Sequence, residues 1–201
     1  MARFHRDALE LTKRANETRE VFGRVQSIAL DLFEQRGFDT VSIEEIAERA
    51  EVGPTTIYRN FGTKERIVLW DEYDPMLLGA LARELARGGD VVSAASRAMQ
   101  SALARVYRDD RARVLRRARL IRATPAIAHV AALDLRVLRD QIAAQLVRAK
   151  RARDPLAARV VAGALTVALE AGIDRWLDGN AHEPLGRCLD AAFRRIRDVT
   201  R

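Results

Sequence analysis

The sequence predicts an all-α protein in which a three-helix domain with a helix-turn-helix precedes a larger helical bundle. Three observations support this prediction. The 201 residues are 48% hydrophobic but include only 5 Pro and 11 Gly, a composition that suits packed helices. Apolar residues recur at three- and four-residue spacing along most of the chain. Short breakers such as Gly88-Gly89 and Thr124-Pro125 separate these periodic segments.

We expect three consecutive segments along the chain: a polar arm at 1–18, a helix-turn-helix domain at 19–67 and a helical regulatory and dimerisation domain at 68–201. The first segment shows little apolar spacing, which predicts a frayed or weakly helical arm. From Val21 to Phe33 apolar residues repeat at helical spacing, and Gly37 suits the end of that helix.

The helix-turn-helix is predicted from its caps. Ser42 can cap a short helix that continues to about Ala50, and an acid three residues later completes a capping box. Gly53 can cap the next helix, and Pro54 suits its first position because a missing N–H costs nothing there. Two short helices joined by about three residues with Gly at the joint are typical of a helix-turn-helix.

Charge does not by itself identify a nucleic-acid binder. The net charge is +7, but residues 1–67 contain 11 Arg/Lys and 12 Asp/Glu, net −1, so the remaining 134 residues carry +8. Local placement is more informative, since the window from Val52 to Lys64 holds two cations and no acid. We expect a DNA duplex to meet the protein at this window.

The outer face of the helix at 54–60 is rich in hydrogen-bond donors, because Ile57 and Phe61 point toward the core. Residues near the start of such a helix approach base edges, and later ones meet the backbone. We therefore expect Thr55 and Thr56 to read bases. Tyr58 and Asn60 suit phosphates, and Arg59 suits either target. The alternative is an ordinary solvated surface.

Lys64 stands at the first position of a predicted helix, where a cation opposes the helix dipole. A phosphate over this helix start would be bound by free N–H groups and by the lysine together. We expect no benefit from this choice in a purely structural role, and the alternative is a lysine that extends into water. The predicted DNA contacts are Ser42, Pro54, Thr55, Thr56, Tyr58, Arg59, Asn60 and Lys64.

A long ordered string in this region resembles the DNA-binding domain of TetR-family regulators. It comprises IEEIAERA at 43–50, Val52, and TIYRNFGTKE at 56–65, preceded by a helix that ends at Leu32-Phe33. The resemblance implies a three-helix DNA-binding domain, a helical ligand-binding domain, a two-fold homodimer, and repression of a double-stranded DNA operator that a small molecule relieves.

The same resemblance assigns phosphate contacts to Tyr58 and Lys64 and recognition-helix contacts to 54–56. Three residues depart from the family pattern: Glu51 replaces the usual Gly, Gly53 a capping Ser or Thr, and Asn60 a His or Tyr. Glu51 bears on how tight the turn can be. Gly53 lacks a hydroxyl that would make one contact.

The regulatory domain resembles known regulators only loosely. Segments 116–125 and 175–179 are similar to mycofactocin-type regulators, which implies a hydrophobic or acyl-chain effector, such as an acyl-CoA with its anionic head. From the residues alone, the arginines on the helix at 110–122 form either a solvated basic face or an anion-attracting mouth. Aromatic residues here are either core or ligand cage. The candidate pocket residues are Tyr107, Arg119 and Trp176.

A homodimer is predicted on the helices at 155–178 and 184–198. The last helix repeats apolar residues at three- and four-residue spacing, and the preceding one is apolar on more than one side. The alternative is that both helices complete the core of one subunit. The candidate interface residues are Val160, Ala164, Val167, Leu185, Leu189, Phe193 and Ile196.

Several function classes are disfavoured. Three scattered histidines, a single cysteine and no Gly-rich phosphate loop offer no catalytic constellation, no metal site and no cofactor site. The longest apolar run, Val160 to Leu169, is about half a membrane span, and no secretory signal precedes the first helix, so a cytoplasmic protein is expected. The rival from another class is a non-enzymatic helical adaptor or membrane-surface protein that uses the basic second domain.

Overall fold

The computed structural model describes the backbone of residues 2–71 and 74–199, and the side chains of 17–71, 76–104 and 110–198. Within these residues the chain forms helices and turns and no strand, which confirms the all-α prediction. It divides into two compact units, Met1–Glu72 and Tyr73–Arg201. The first contains α1 (Ala2–Arg36), α2 (Ile43–Arg49), α3 (Pro54–Asn60) and α4 (Lys64–Leu69); the second contains α5 (Asp74–Ala86), α6 (Val91–Ala123), α7 (Pro125–Arg148), α8 (Pro155–Asp178) and α9 (Leu185–Val199).

Two helices differ from the predicted pattern. The backbone of residues 2–18, expected to be a polar arm, forms the N-terminal half of α1. The helices expected at 90–107 and 110–122 are joined in α6, and Asp110 interrupts them with φ −149° and ψ 20°. The acidic pair 109–110 therefore correctly predicted an interruption of the helix, but the interruption is a kink and not a loop.

Aromatic packing and one buried amide hold the first unit together. The Phe22 ring lies 4.9 Å from Phe61 and 5.7 Å from Trp70, centroid to centroid. Gln26 is fully buried, and its Nε2 donates to the carbonyls at the end of α4. Free carbonyls at a helix C-terminus need partners, so Gln26 fastens the last turn of α4 to α1. The two amide protons of Gln26 are shared among three carbonyl oxygens, those of Ile67 at 2.8 Å, Val68 at 3.1 Å and Trp70 at 2.8 Å.

In the second unit α8 packs against both α7 and α9, and α6 packs against α5 and α9. The closest approach is at Gly172, where a Cβ atom would lie 2.6 Å from Leu189 Cδ2 and 2.9 Å from Leu189 Cα. Only a residue without a side chain allows α8 and α9 this separation. Trp176 is also buried in this core, with 1% of its surface exposed.

This packing corrects half of the predicted dimer surface. Leu185, Leu189 and Phe193 expose only 5%, 1% and 3% of their surface, because they fill the core of their own subunit. The apolar periodicity of α9 correctly predicted burial, but the helices that bury this face are α8 and α6 of the same chain. The residues of the predicted set that remain partly or fully accessible are Val160, Ala164, Val167 and Ile196.

Helix α8 meets the length and composition of a membrane-spanning helix, with a mean hydropathy of 1.7 over its most apolar window. The uninterrupted apolar run at 160–169 led us to underestimate the apolar length of this helix, because few polar residues flank that run. One face of the helix is buried against α7 and α9. Three of its large apolar residues, Leu156, Val160 and Val167, are exposed.

Candidate nucleic-acid interface and apolar cavity

The turn between α2 and α3 has a backbone conformation that the sequence predicts only in part. Ser42 caps α2 as predicted, and its Oγ accepts from the Glu45 N–H at 3.1 Å. Glu51 adopts φ +55°, the left-handed conformation in which glycine is least strained. The Val52 N–H then donates to the Ala47 carbonyl at 3.0 Å. The tight turn therefore forms even with Glu51 in place of glycine.

Helix α3 begins at Pro54 with Gly53 as a cap that makes no side-chain hydrogen bond. Ile57 is buried at 1% exposure and anchors the helix, as its spacing predicted. Thr56 is half-buried between this inner side and the surface. The residues on the exposed side are Thr55, Tyr58, Arg59 and Asn60.

Tyr58 has a partner that sequence reasoning missed. Its hydroxyl donates to Glu44 Oε1 at 2.9 Å, and both side chains are exposed. This hydrogen bond raises the pKa of Tyr58, and burial and the Glu44 charge add to the shift. Glu44 lies 14 residues earlier on a different helix, so neither periodicity nor motif spacing could have paired the two.

The other two late residues of α3 differ from each other. Asn60 Nδ2 donates back to the Thr56 carbonyl at 2.7 Å, which uses one of its two amide protons within its own helix. Arg59 is exposed and makes no hydrogen bond or ion pair with any side chain that the structure describes. Among the described side chains of this face, Arg59 is therefore a cation that is free to meet an anion.

Lys64 has a structural role that we did not expect. Its Nζ donates to the carbonyls of Phe38 at 2.7 Å and Val41 at 2.8 Å, and it lies 4.6 Å from the centre of the Phe38 ring. The expectation that a structural protein gains nothing from this cation is therefore wrong, since Lys64 ties the loop before α2 to the start of α4. An ammonium has three protons, so one remains for a further acceptor.

The second unit contains an apolar cavity of about 40 Å³. Among the lining residues that the structure describes, only Thr166 is polar; its hydroxyl lies 2.9 Å from the Gly163 carbonyl and 3.2 Å from that of Ala162, within its own helix. The lining comes from α5, α6, α7, α8 and α9: Leu77, Leu78, Leu81, Ala95, Ala98, Met99, Leu138, Ile142, Leu165, Thr166, Leu169 and Phe193.

Of the residues predicted for a ligand pocket, neither Arg119 nor Trp176 is among the lining residues that the structure describes. Arg119 is exposed, whereas Trp176 lies in the core. The side chain of Tyr107 falls outside the described residues. Most of the cavity residues are aliphatic and occupy ordinary core positions in the sequence, which is why no motif revealed them.

Part of the basic face of α6 is committed to contacts inside the unit. Arg122 pairs with Asp178 at 2.7 Å, and Arg111 donates to the Ala181 carbonyl at 2.9 Å. Arg113 pairs with Asp110 at the kink. These contacts favour a structural role for the arginines over an anion-binding mouth. Among the side chains that the structure describes, no group of three or more His, Cys, Asp or Glu is placed to hold a metal ion.

Two family models match the chain. Residues 27–69 match the bacterial regulatory proteins of the tetR family, and residues 89–201 match the MftR C-terminal domain. The first match covers the helix-turn-helix. The second covers more than half of the sequence.

Curated relatives match part of the chain. The regulator TcmR of Streptomyces glaucescens is 38% identical over 80 residues, which is 39% of this chain and 35% of TcmR. An HTH-type transcriptional repressor of Mycobacterium tuberculosis is 36% identical over 63 residues, 31% of this chain and 34% of the relative. The chain thus spans about a third of the length of the curated relatives it matches.

Solved structures share the fold of nearly the whole chain. The SmeT–triclosan complex aligns with a TM-score of 0.58 and 16% identity, over 86% of this chain and 90% of SmeT. FadR of Thermus thermophilus with lauroyl-CoA aligns with a TM-score of 0.55 and 23% identity, over 86% and 91% of the two chains. At these identities the likeness concerns the fold alone.

Proposed function

The chain belongs to the TetR family of bacterial regulatory proteins and carries an MftR-type C-terminal domain, and we propose that it represses transcription by binding a palindromic DNA operator as a homodimer. A small hydrophobic effector releases it. It acts in the cytoplasm, where its DNA partner is found, and it catalyses no reaction. The observation that carries this proposal is the outer face of α3, where the accessible side chains of Thr55, Thr56, Tyr58, Arg59 and Asn60 can each donate a hydrogen bond.

The proposed contacts divide by position on α3. Thr55 and Thr56 lie in the first turn after Pro54, where side chains reach base edges. Arg59, which has no partner among the described side chains, binds a phosphate or a guanine. Tyr58 and the remaining proton of Lys64 bind phosphates.

Ser42 and Asn60 complete this proposed interface. The Ser42 hydroxyl accepts a bond from the backbone of α2, and its own proton is shared with the Glu44 carboxylate until a phosphate displaces that contact. Asn60 has one amide proton left after its bond to Thr56. Because each of these groups already has an internal partner, we expect their individual contributions to be smaller than that of Arg59.

Selection of bound sequences from random DNA tests the proposal, and enrichment of a palindrome is the expected result. Thr56→Ala should then relax base preference, whereas Arg59→Ala should weaken binding and reduce the slope of log affinity against log salt by about one. Arg187→Ala, an exposed cation of the second unit, is the matched control and should leave the slope unchanged. No enrichment from random DNA would overturn the proposal.

The homodimer is proposed on the exposed apolar side of α8 rather than on α9. Leu156, Val160 and Val167 expose 71%, 63% and 63% of their surface, and Ala164 lies on the same side of the helix. Leu133 and Val137 of α7 are exposed apolar residues as well. Apolar side chains at this spacing favour a partner helix, and a second copy of the chain supplies one by two-fold symmetry.

The effector is proposed to enter the apolar cavity of the second unit. The cavity is much smaller than the several hundred Å³ of a typical ligand pocket, so flexible lining residues such as Met99 must move to admit an acyl chain. The lining residues that the structure describes include no cation for the anionic head of an acyl-CoA, so the head would have to stay outside. A thermal shift with a series of alkyl and acyl compounds, together with loss of DNA binding, tests this part of the proposal.

A further inference from the structure

An acid lies beside the donor-rich face of α3 although the sequence window that forms this face contains none. Glu44 belongs to α2, and the fold brings its Oε1 to 2.9 Å from the Tyr58 hydroxyl. Both side chains are exposed, and Tyr58 retains 48% of its surface. The contact therefore forms on the surface that we propose for DNA.

The carboxylate is ionised at neutral pH. A backbone hydrogen bond at Glu44 and, second, the Tyr58 hydroxyl lower the pKa of this carboxyl below its ordinary value. A tyrosine hydroxyl has a single proton, and here Glu44 accepts it. A DNA phosphate that approaches Tyr58 must displace this bond and also meets a negative charge next to the hydroxyl.

We propose that Glu44 is a positioning residue that withholds the Tyr58 hydroxyl from phosphate and so lowers the affinity of the protein for DNA of any sequence. The inference rests on the proposed DNA-binding function. The Glu44 carboxylate and a DNA phosphate compete for the single proton of the Tyr58 hydroxyl. Removal of the carboxylate charge should therefore strengthen DNA binding only in a protein that keeps this hydroxyl.

A neighbouring residue provides a matched control. Glu45 is also an acid on α2, but its carboxylate pairs with Arg36 and not with Tyr58. Glu45→Gln removes the same charge as Glu44→Gln from a position one residue away. Glutamine at position 44 keeps the size of the side chain, but its neutral amide oxygen accepts the tyrosine proton more weakly than a carboxylate does, so the hydroxyl is released more easily to a phosphate.

The experiment measures the affinity of each full-length variant for a labelled duplex of mixed sequence and for the duplex selected from random DNA. We expect Glu44→Gln to raise affinity for both duplexes by about three- to fivefold, in the range of an exposed charged pair, and Glu45→Gln by about twofold or less. In the Tyr58→Phe background, the gain from Glu44→Gln should fall to that of Glu45→Gln. Circular dichroism verifies that the variants are folded.

Two results would overturn the inference. One is an equal gain from the two glutamine variants, which would mean that only net charge matters. The other is lower affinity in Glu44→Gln, which would mean that the carboxylate holds Tyr58 in a productive position or contacts a base itself. If the wild-type chain binds neither duplex, the proposed function itself fails, and that outcome is separable because it does not involve any variant.

Discussion

The two units of this protein stabilise their helices by different means. In the first unit, side chains of Gln26 and Lys64 reach across the fold to backbone carbonyls of helix ends and loops. In the second unit, longer helices pack through aliphatic side chains, and Gly172 allows α8 and α9 to touch. The first unit adds a few directional bonds to its apolar core, whereas the second depends mainly on shape and on the exclusion of water.

This difference explains which substitutions each unit should tolerate. Short helices such as α3 and α4 are marginal by themselves, so they need specific partners at their ends. Long apolar helices need close-packed faces and tolerate changes where a face is exposed. The four experiments below contrast residues that look alike in sequence but differ in environment.

The largest effect is expected for Phe193→Asp. Phe193 is buried at 3% exposure, and an unpaired carboxylate there should unfold the second unit, because burial of a lone charge costs several kcal/mol. Val160→Asp together with Val167→Asp places two charges on exposed positions and should leave the unit helical while the dimer dissociates. Circular dichroism and sedimentation measure the two outcomes. A Phe193→Asp variant that is folded but monomeric would instead show that the dimer interface lies on α9.

The second contrast uses two glycines of α8. Gly172→Ala should destabilise the second unit by about 2 kcal/mol, because a Cβ atom would overlap the backbone of Leu189 and the helices must separate. At Gly163 the nearest atom, Arg139 Cδ, is 4.0 Å away. Gly163→Ala should therefore be neutral or stabilise by up to about 1 kcal/mol. Hydrogen exchange of α8 peptides measures both, and equal effects would contradict the tight contact.

The third contrast separates stability from DNA affinity in the first unit. Lys64→Met keeps an apolar stem over Phe38 but loses the bonds to the Phe38 and Val41 carbonyls, and it should destabilise this unit by about 1 kcal/mol. Arg59→Met should weaken DNA binding without a change in stability. Hydrogen exchange of α2 and α4 peptides gives the readout. An unchanged Lys64→Met variant would show that water replaces the lysine without cost.

The smallest effect is expected at the turn after α2. Glu51 adopts φ +55°, where a non-glycine residue is strained. Glu51→Gly should stabilise the first unit by about 0.5 kcal/mol, since relief of strain exceeds the added entropy of the unfolded chain. Glu48→Gly, on an exposed helical position of α2, should destabilise it by about 1 kcal/mol. Chemical denaturation distinguishes the opposite signs.

The sequence predicted the first unit in more detail than the second. Caps and breakers are local signals, so Ser42, Gly53 and Pro54 placed α2 and α3 correctly. Apolar periodicity identified α9, but it could not say whether Leu189 faces its own core or a partner, because both environments select the same residue types. Contacts between distant segments, such as Glu44 with Tyr58, carry no sequence signature at all.

The apolar cavity of the second unit selects among ligands by how poorly they dissolve in water. Since the described residues around Thr166 leave no free side-chain donor, transfer out of water is the main favourable contribution for any molecule that enters. Each further methylene buried there adds about 0.8 kcal/mol, or about fourfold in affinity, and each hydroxyl without a partner subtracts. Within a homologous series, affinity for this cavity follows chain length and partition coefficient. Compounds that are chemically unrelated but have equal lipophilicity and shape should therefore bind equally well.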